Sequence, residues 1–317
     1  MIRMYPKQFD AYGVPILSDK DIIEYAAVIL KDYNPDLLKE PGIVNYTDFL
    51  EFYLGVTLEY HDIYCEDASR KILGATAFTT SVLPIFDRET MSVKNIKIRC
   101  NTIVLDNDLQ EMCVGAGRFT ALHEGAHWLL HTPVFRSGMK DELELFRGSR
   151  FPKIMHCERG DICKEYSGGR RTSREWCEHQ ADVFASNLAM PDYTVLPYAK
   201  ETLSQLGYNG GFLEVHRHDP DALFAAVALR DSLSLTYGVS RTAAKYKLRK
   251  LGILKDAPPG EICNANSDKA YTPEPPRTKP EISEETAAIL REYERNWLDP
   301  EYEFGKIKVK RRSKKRN

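Results

Sequence analysis

At 317 residues the chain is long enough to bury one large core or two modest ones. Its 43% hydrophobic and 28% charged residues are ordinary for a globular protein, and no apolar run approaches the roughly eighteen residues of a membrane span. The formal net charge of −2 conceals an asymmetry: the last twelve residues, KIKVKRRSKKRN, hold eight of the 44 Lys and Arg, leaving 36 to face 46 acidic residues. An acidic body is a poor nucleic-acid binder, whereas the basic end could touch any polyanion.

The start, MIRMYPKQFDAYGVP, has no apolar run and does not read as a secretory leader, so the expectation is a cytoplasmic protein. Residues 18–33 repeat apolar side chains at Ile22, Ile23, Ala26, Ile29, Leu30 and Tyr33, a helical stripe that Ser18 and Asp21 would cap. A short helix over 46–54 should stop at Gly55. The runs VTLEYH, KILGATAFTT and IKIRCNTIVLD read as strands of a small sheet. A helix follows, with Phe119, Leu122, Ala126, Leu129 and Leu130 as its buried stripe and Thr132-Pro133 as its end. Residues 134–171 show no strong period and read as an irregular insert. In TSREWCEHQADVFASNLAMP, Thr172 and Glu175 form a capping box, Ala181, Phe184, Ala185 and Leu188 face a core, and Pro191 stops the run. Two further helices are joined at Tyr237-Gly238-Val239-Ser240. Prolines 258, 259, 273, 275, 276 and 280 mark a linker.

The fourteen residues RFTALHEGAHWLLH carry the chemistry. His123 and His127 are four apart, so both imidazoles project from one helix face and can give one divalent ion a nitrogen each. Glu124 is rotated about 100° around the axis, outside the ligand set but able to hold and deprotonate a water that zinc acidifies. Two histidines satisfied on an amphipathic helix would give the same pentapeptide. His131 lies about 12 Å from His123 by helix rise, so it reads as packing or as a partner of a ligand. Catalytic zinc takes three protein ligands and one open position. Glu178 is the best third, and Asp182, one turn later on the same face, could accept the free N–H of a ligating histidine. Two helices packed through their apolar stripes would bring these groups together.

These two segments resemble the ImmA/IrrE family of zinc metallo-endopeptidases. The matching positions are Phe119, Thr120, His123, Glu124, His127, Glu178, Ala181, Asp182, Phe184, Ala185, Leu188, Met190 and Pro191. The resemblance covers roughly residues 18–254. It implies an α+β, gluzincin-like domain in which a small sheet, an HExxH helix and a glutamate-bearing helix precede a helical C-terminal part. It also implies an intracellular enzyme that binds Zn2+ through His123, His127 and Glu178 and uses Glu124 as its base. The implied substrate is a protein, a helix-turn-helix repressor. Gly125-Ala126 departs from the family's bulkier pair and weakens the helix by about 1 kcal/mol. The insert at 134–171 is longer than the family leads one to expect.

The expected organisation is a metallopeptidase domain over 1–255, with a helix-turn-helix-like segment at 221–254. A Pro-rich linker over 256–281, a helix over 282–299 and a basic tail over 300–317 complete it. Within GVSRTAAKYKLRKLGIL, Arg241, Lys245, Lys247, Arg249 and Lys250 could contact phosphates, so a DNA-binding or repressor-binding regulator without proteolysis stays open. Among the seven cysteines, Cys157, Cys163 and Cys177 with His156 could form a second site. They contain no C-x-x-C pair, and free thiols are the expectation. Tyr166, His179 and His216 are the candidates for stabilising an oxyanion. The strand at 101–105 is the candidate edge for an extended substrate.

Overall fold

The computed structural model describes residues 6–11, 13–67, 71–111, 114–137, 154–158, 172–215 and 219–256. The linker beyond Asp256, the terminal helix and the basic tail lie outside these residues, as do Cys163, Tyr166 and His216; for His156 and Cys157 the backbone alone is described.

The protein is mixed α+β. Ser18 caps α1 (Asp19–Tyr33) through the reciprocal box with Asp21, and a 3-10 turn, Pro35–Leu38, follows. Helix α2 (Tyr46–Asp48) runs into a π-helical turn, Phe49–Tyr53, and the chain leaves it through Gly55 at φ 70°. Next come β1 (Thr57–His61), β2 (Ile72–Ala77), β3 (Ser81–Asp87), β4 (Ser92–Ile98) and β5 (Thr102–Asp106). After these lie α3 (Asp108–Glu111), α4 (Val114–Ser137), β6 (Ile154–Glu158), α5 (Ser173–Ala189) and α6 (Asp192–Gln205). Strand β7 (Leu213–Val215), α7 (Pro220–Tyr237), α8 (Arg241–Lys250) and β8 (Leu254–Asp256) end the described chain.

The main sheet has the order β1-β5-β2-β6, with β1 parallel to β5 and β2 antiparallel to both of its neighbours. Alternation along β5 divides its faces: Ile103 and Leu105 join the core around α4, while Val104 packs with Ala75, Ala77, Leu83 and Ile98 on the other side. Helix α4 lies on the first face, and α5 packs against α4. One hydrophobic cluster then runs from Leu17 of the segment before α1 to Leu254 of β8. Among the described residues no single helix is long and apolar enough to cross a membrane.

Four expectations are corrected. The run IKIRCNTIVLD is two strands, broken where Asn101 takes φ 64°, a conformation that asparagine tolerates better than most residues. Its second half, β5, is paired on both sides and so cannot be a free edge; among the described residues the sheet ends at β1 and β6. Helix α4 does not stop at Thr132-Pro133 but continues to Ser137. Phe135 beyond the proline stacks on Phe78 at 4.4 Å between centroids, and that burial offsets the hydrogen bond Pro133 cannot make. The stretch read as an irregular insert contains β6, which the pairing with β2 defines although its own sequence has no clear period.

The α7–α8 pair is built by local signals. Asp219 caps α7 and Pro220 opens it; Gly238 at φ 60° closes it, and Ser240 caps α8. The helix axes bend by 111°. This turn sits directly on α4: a Cβ on Gly115 would lie 2.3 Å from Val239 C and 2.5 Å from Ser240 N. Backbone atoms cannot swing aside, so Gly115→Ala is expected to destabilise by about 2 kcal/mol or more. Thermal unfolding checks this; a variant as stable as the wild type would mean that helix and turn do not touch there.

Lys247 of α8 is buried, with Nζ 2.5 Å from Asp192 Oδ1 and 3.0 Å from Asn187 Oδ1. Burial lowers its pKa to about 8 although Asp192 pulls it up. The folded chain therefore releases this proton near 8 and the unfolded chain near 10.5, so between these values the unfolded state holds more protons and stability rises with pH. The gain is bounded by about 1.4 kcal/mol per pH unit. Urea unfolding of wild type and Lys247→Met across that window should show the wild type gaining on the variant. Parallel curves would contradict a buried, strained ammonium.

Candidate metal centre

Helix α4 carries His123 and His127 one turn apart on the face that meets α5, and α5 supplies Glu178 from the other side. His123 Nε2 lies 3.0 Å from His127 Nε2. Glu178 Oε2 is 3.3 Å from the first nitrogen and 3.4 Å from the second. Both imidazoles are fully buried and Glu178 is 3% exposed. These three are the group among the described residues whose donor atoms could hold one metal ion, lying within 4.8 Å of one another.

The electrostatics fit a cation at that point. Glu178 Oε1 is buried with no hydrogen-bond partner among the described residues, although isolated buried carboxylate oxygens are costly. Burial would raise its pKa, but the two imidazoles outweigh that and hold the carboxyl well below the usual range. Two imidazoles and one carboxylate are a donor set that catalytic zinc sites use.

Around the three donors stands an outer ring of partners. Asp182, expected to receive a ligand's N–H, has Oδ1 2.9 Å from His123 Nδ1. His131 approaches His127 from behind, with its Nδ1 3.0 Å from His127 Nδ1. Its Nε2 lies 3.0 Å from Gln180 Oε1, and Gln180 Nε2 donates to the Pro15 carbonyl at 2.5 Å. Burial depresses the His131 pKa to about 3, so this ring is neutral near pH 7.

Glu124 turns away from the histidines' face, as its one-residue offset requires, and lies against β2. The Thr76 hydroxyl donates to Glu124 Oε2 at 2.5 Å. Gly74 permits the approach: a Cβ there would sit 2.8 Å from Glu124 Oε1 and 3.0 Å from Thr120 Cγ2. Burial pushes the Glu124 carboxyl up, against the pull of His127 and His123, and its Oε1 has no partner among the described residues. A buried carboxylate with one oxygen held and the other free is equipped to accept a proton. At Gly125 a Cβ would lie 2.7 Å from Leu50 Cδ2, so the small residue lets the π-helical turn pack closely on α4.

Other expected participants lie elsewhere. His179 places Nε2 2.7 Å from Asp19 Oδ1 of α1 and stacks on Trp176, which ties it to a helix junction. Cys177 is buried in an apolar cluster with Val14, Phe78, Phe135 and Met155; burial raises its thiol pKa, so it is a protonated packing residue. Of the cations read as phosphate contacts, Lys247 is buried, Arg249 pairs with Asp256, Lys250 with Asp19 and Arg241 with Asp231. Sequence reasoning missed Thr76, Gly74 and Gln180. The only hint was a third histidine, His131, spaced to ask for a partner. No protein-family model matches this chain and no curated protein matches it, so the centre rests on its own geometry.

Proposed function

We propose that the protein is a zinc-dependent endopeptidase with a gluzincin-like domain, of the type that the ImmA/IrrE resemblance implies. The observation that supports this most is the convergence of three buried donors from two helices, with a free buried carboxylate oxygen of Glu124 on the adjoining side. His123 and His127 would hold the ion through Nε2 and Glu178 through its carboxylate. Bound zinc supplies Lewis acidity, which lowers the pKa of water towards 7 and polarises a carbonyl.

The remaining chemistry belongs to the chain. Glu124 accepts the proton of the attacking water through Oε1 while Thr76 holds Oε2, then delivers that proton to the leaving amine. An extended substrate pairs with an outer strand, and β6, next to β2, is the described edge nearer Glu124. The substrate is an intracellular protein, a helix-turn-helix repressor.

Incubating the zinc-loaded protein with a panel of helix-turn-helix repressors, with and without a chelator, tests this. Intact-mass spectrometry should show cleavage at a defined bond that the chelator stops. A repressor captured but never cut would overturn the peptidase in favour of a binding protein.

A further inference from the structure

Three hydrogen-bonding groups behind His127 form with it a chain whose polarity has one consistent solution. It starts at the Pro15 carbonyl, which can only accept. Gln180 must therefore turn its NH2 to Pro15, at 2.5 Å, and its Oε1 to His131 Nε2, at 3.0 Å. His131 is fully buried and its two nitrogens meet an amide oxygen and an imidazole, with no carboxylate at either, so the uncharged ring is the form that fits. Oε1 is an acceptor, so the ring's proton sits on Nε2 and leaves a lone pair on Nδ1. That lone pair lies 3.0 Å from His127 Nδ1, which must then carry the N–H. His127 is left with a lone pair on Nε2, the nitrogen that faces His123 and Glu178.

We infer that His131 and Gln180 are positioning residues that fix the metal-facing nitrogen of His127, the counterpart of what Asp182 does for His123. The inference deepens the metal-centre reading and rests on it. It also gives α5 a threefold part: Glu178 supplies a donor, Asp182 orients one imidazole, and Gln180 orients the other through His131. Unlike Asp182, the His131–Gln180 branch adds no charge. It is buried throughout, which makes its geometry insensitive to solvent.

Two measurements test it. Histidine-selective 15N NMR of the metal-free wild type should show a proton on His127 Nδ1; an unprotonated Nδ1 overturns the inference. Zinc affinity, measured by competition with a chromogenic chelator, should fall about 10- to 100-fold in His131→Leu and Gln180→Leu, the range seen when a ligand's hydrogen-bond partner is removed. His131→Asn, whose side-chain oxygen can replace Nδ1 as acceptor, should retain most of the affinity. Leucine variants that bind zinc like the wild type overturn the inference and leave the metal centre standing. A wild type that takes up no zinc overturns both. Should a leucine variant fail to fold, the wild-type NMR result and His131→Asn still decide.

Discussion

Glu178→Ala is expected to weaken zinc binding by at least about a hundredfold, more than the loss typical of an outer hydrogen-bond partner. Two imidazoles on one helix would remain, with no carboxylate to close the set and no anion to offset the ion's charge. The effect should be visible without any substrate. A ligand that binds only the folded state stabilises it by about 2.7 kcal/mol at a hundred times its Kd. Zinc should therefore raise the melting temperature of the wild type and leave that of Glu178→Ala unchanged. In the metal-free state the variant should melt below the wild type, because Ala removes the carboxylate that meets both buried imidazoles and leaves them without it. The comparison is therefore of each protein's own zinc-induced shift. Equal zinc-induced shifts in the two proteins would mean that the ion binds elsewhere.

Glu124→Gln is expected to separate binding from chemistry. The replacement keeps the shape, and its amide oxygen can still accept the Thr76 hydroxyl that now meets Oε2 at 2.5 Å. What it cannot do is take up a proton. Cleavage should fall by about a hundredfold to ten-thousandfold, the usual contribution of a positioned general base, while zinc affinity changes little. The pair of results matters more than either alone. Loss of both activity and metal would make Glu124 a structural support for the centre, and retained activity would assign the base to another group.

Much of this was legible because the signals are local. The boxes Ser18–Asp21 and Thr172–Glu175 start α1 and α5 as the sequence indicates, and the Gly238–Ser240 turn separates α7 from α8. The i, i+4 spacing puts His123 and His127 on one face by helix geometry alone. Glu178 was found by the carboxylate spacing in a helix whose opposite side is apolar, and by the resemblance of its flanking residues.

What was hidden depends on contacts far apart in sequence. Thr76 reaches Glu124 across 48 positions, and His131 reaches Gln180 across 49. No period or motif in either segment points to the other. Strand β6 could not be read for a related reason: pairing with β2 defines it, and pairing is a property of two strands. The basic face of α8 misled in the opposite direction. Its cations look free in a linear reading, whereas Lys247 lies inside the fold and Arg241, Arg249 and Lys250 each meet an aspartate. Charge counts reveal composition; only packing reveals which charges are already matched.

X-ray absorption at the zinc edge of the loaded wild type reads the ligand shell itself. One ion per chain is expected, with nitrogen and oxygen neighbours only, two of them imidazole, at about 2.0–2.2 Å. A shell containing sulfur at about 2.3 Å would instead place the ion among cysteines, and His123, His127 and Glu178 would not be its ligands.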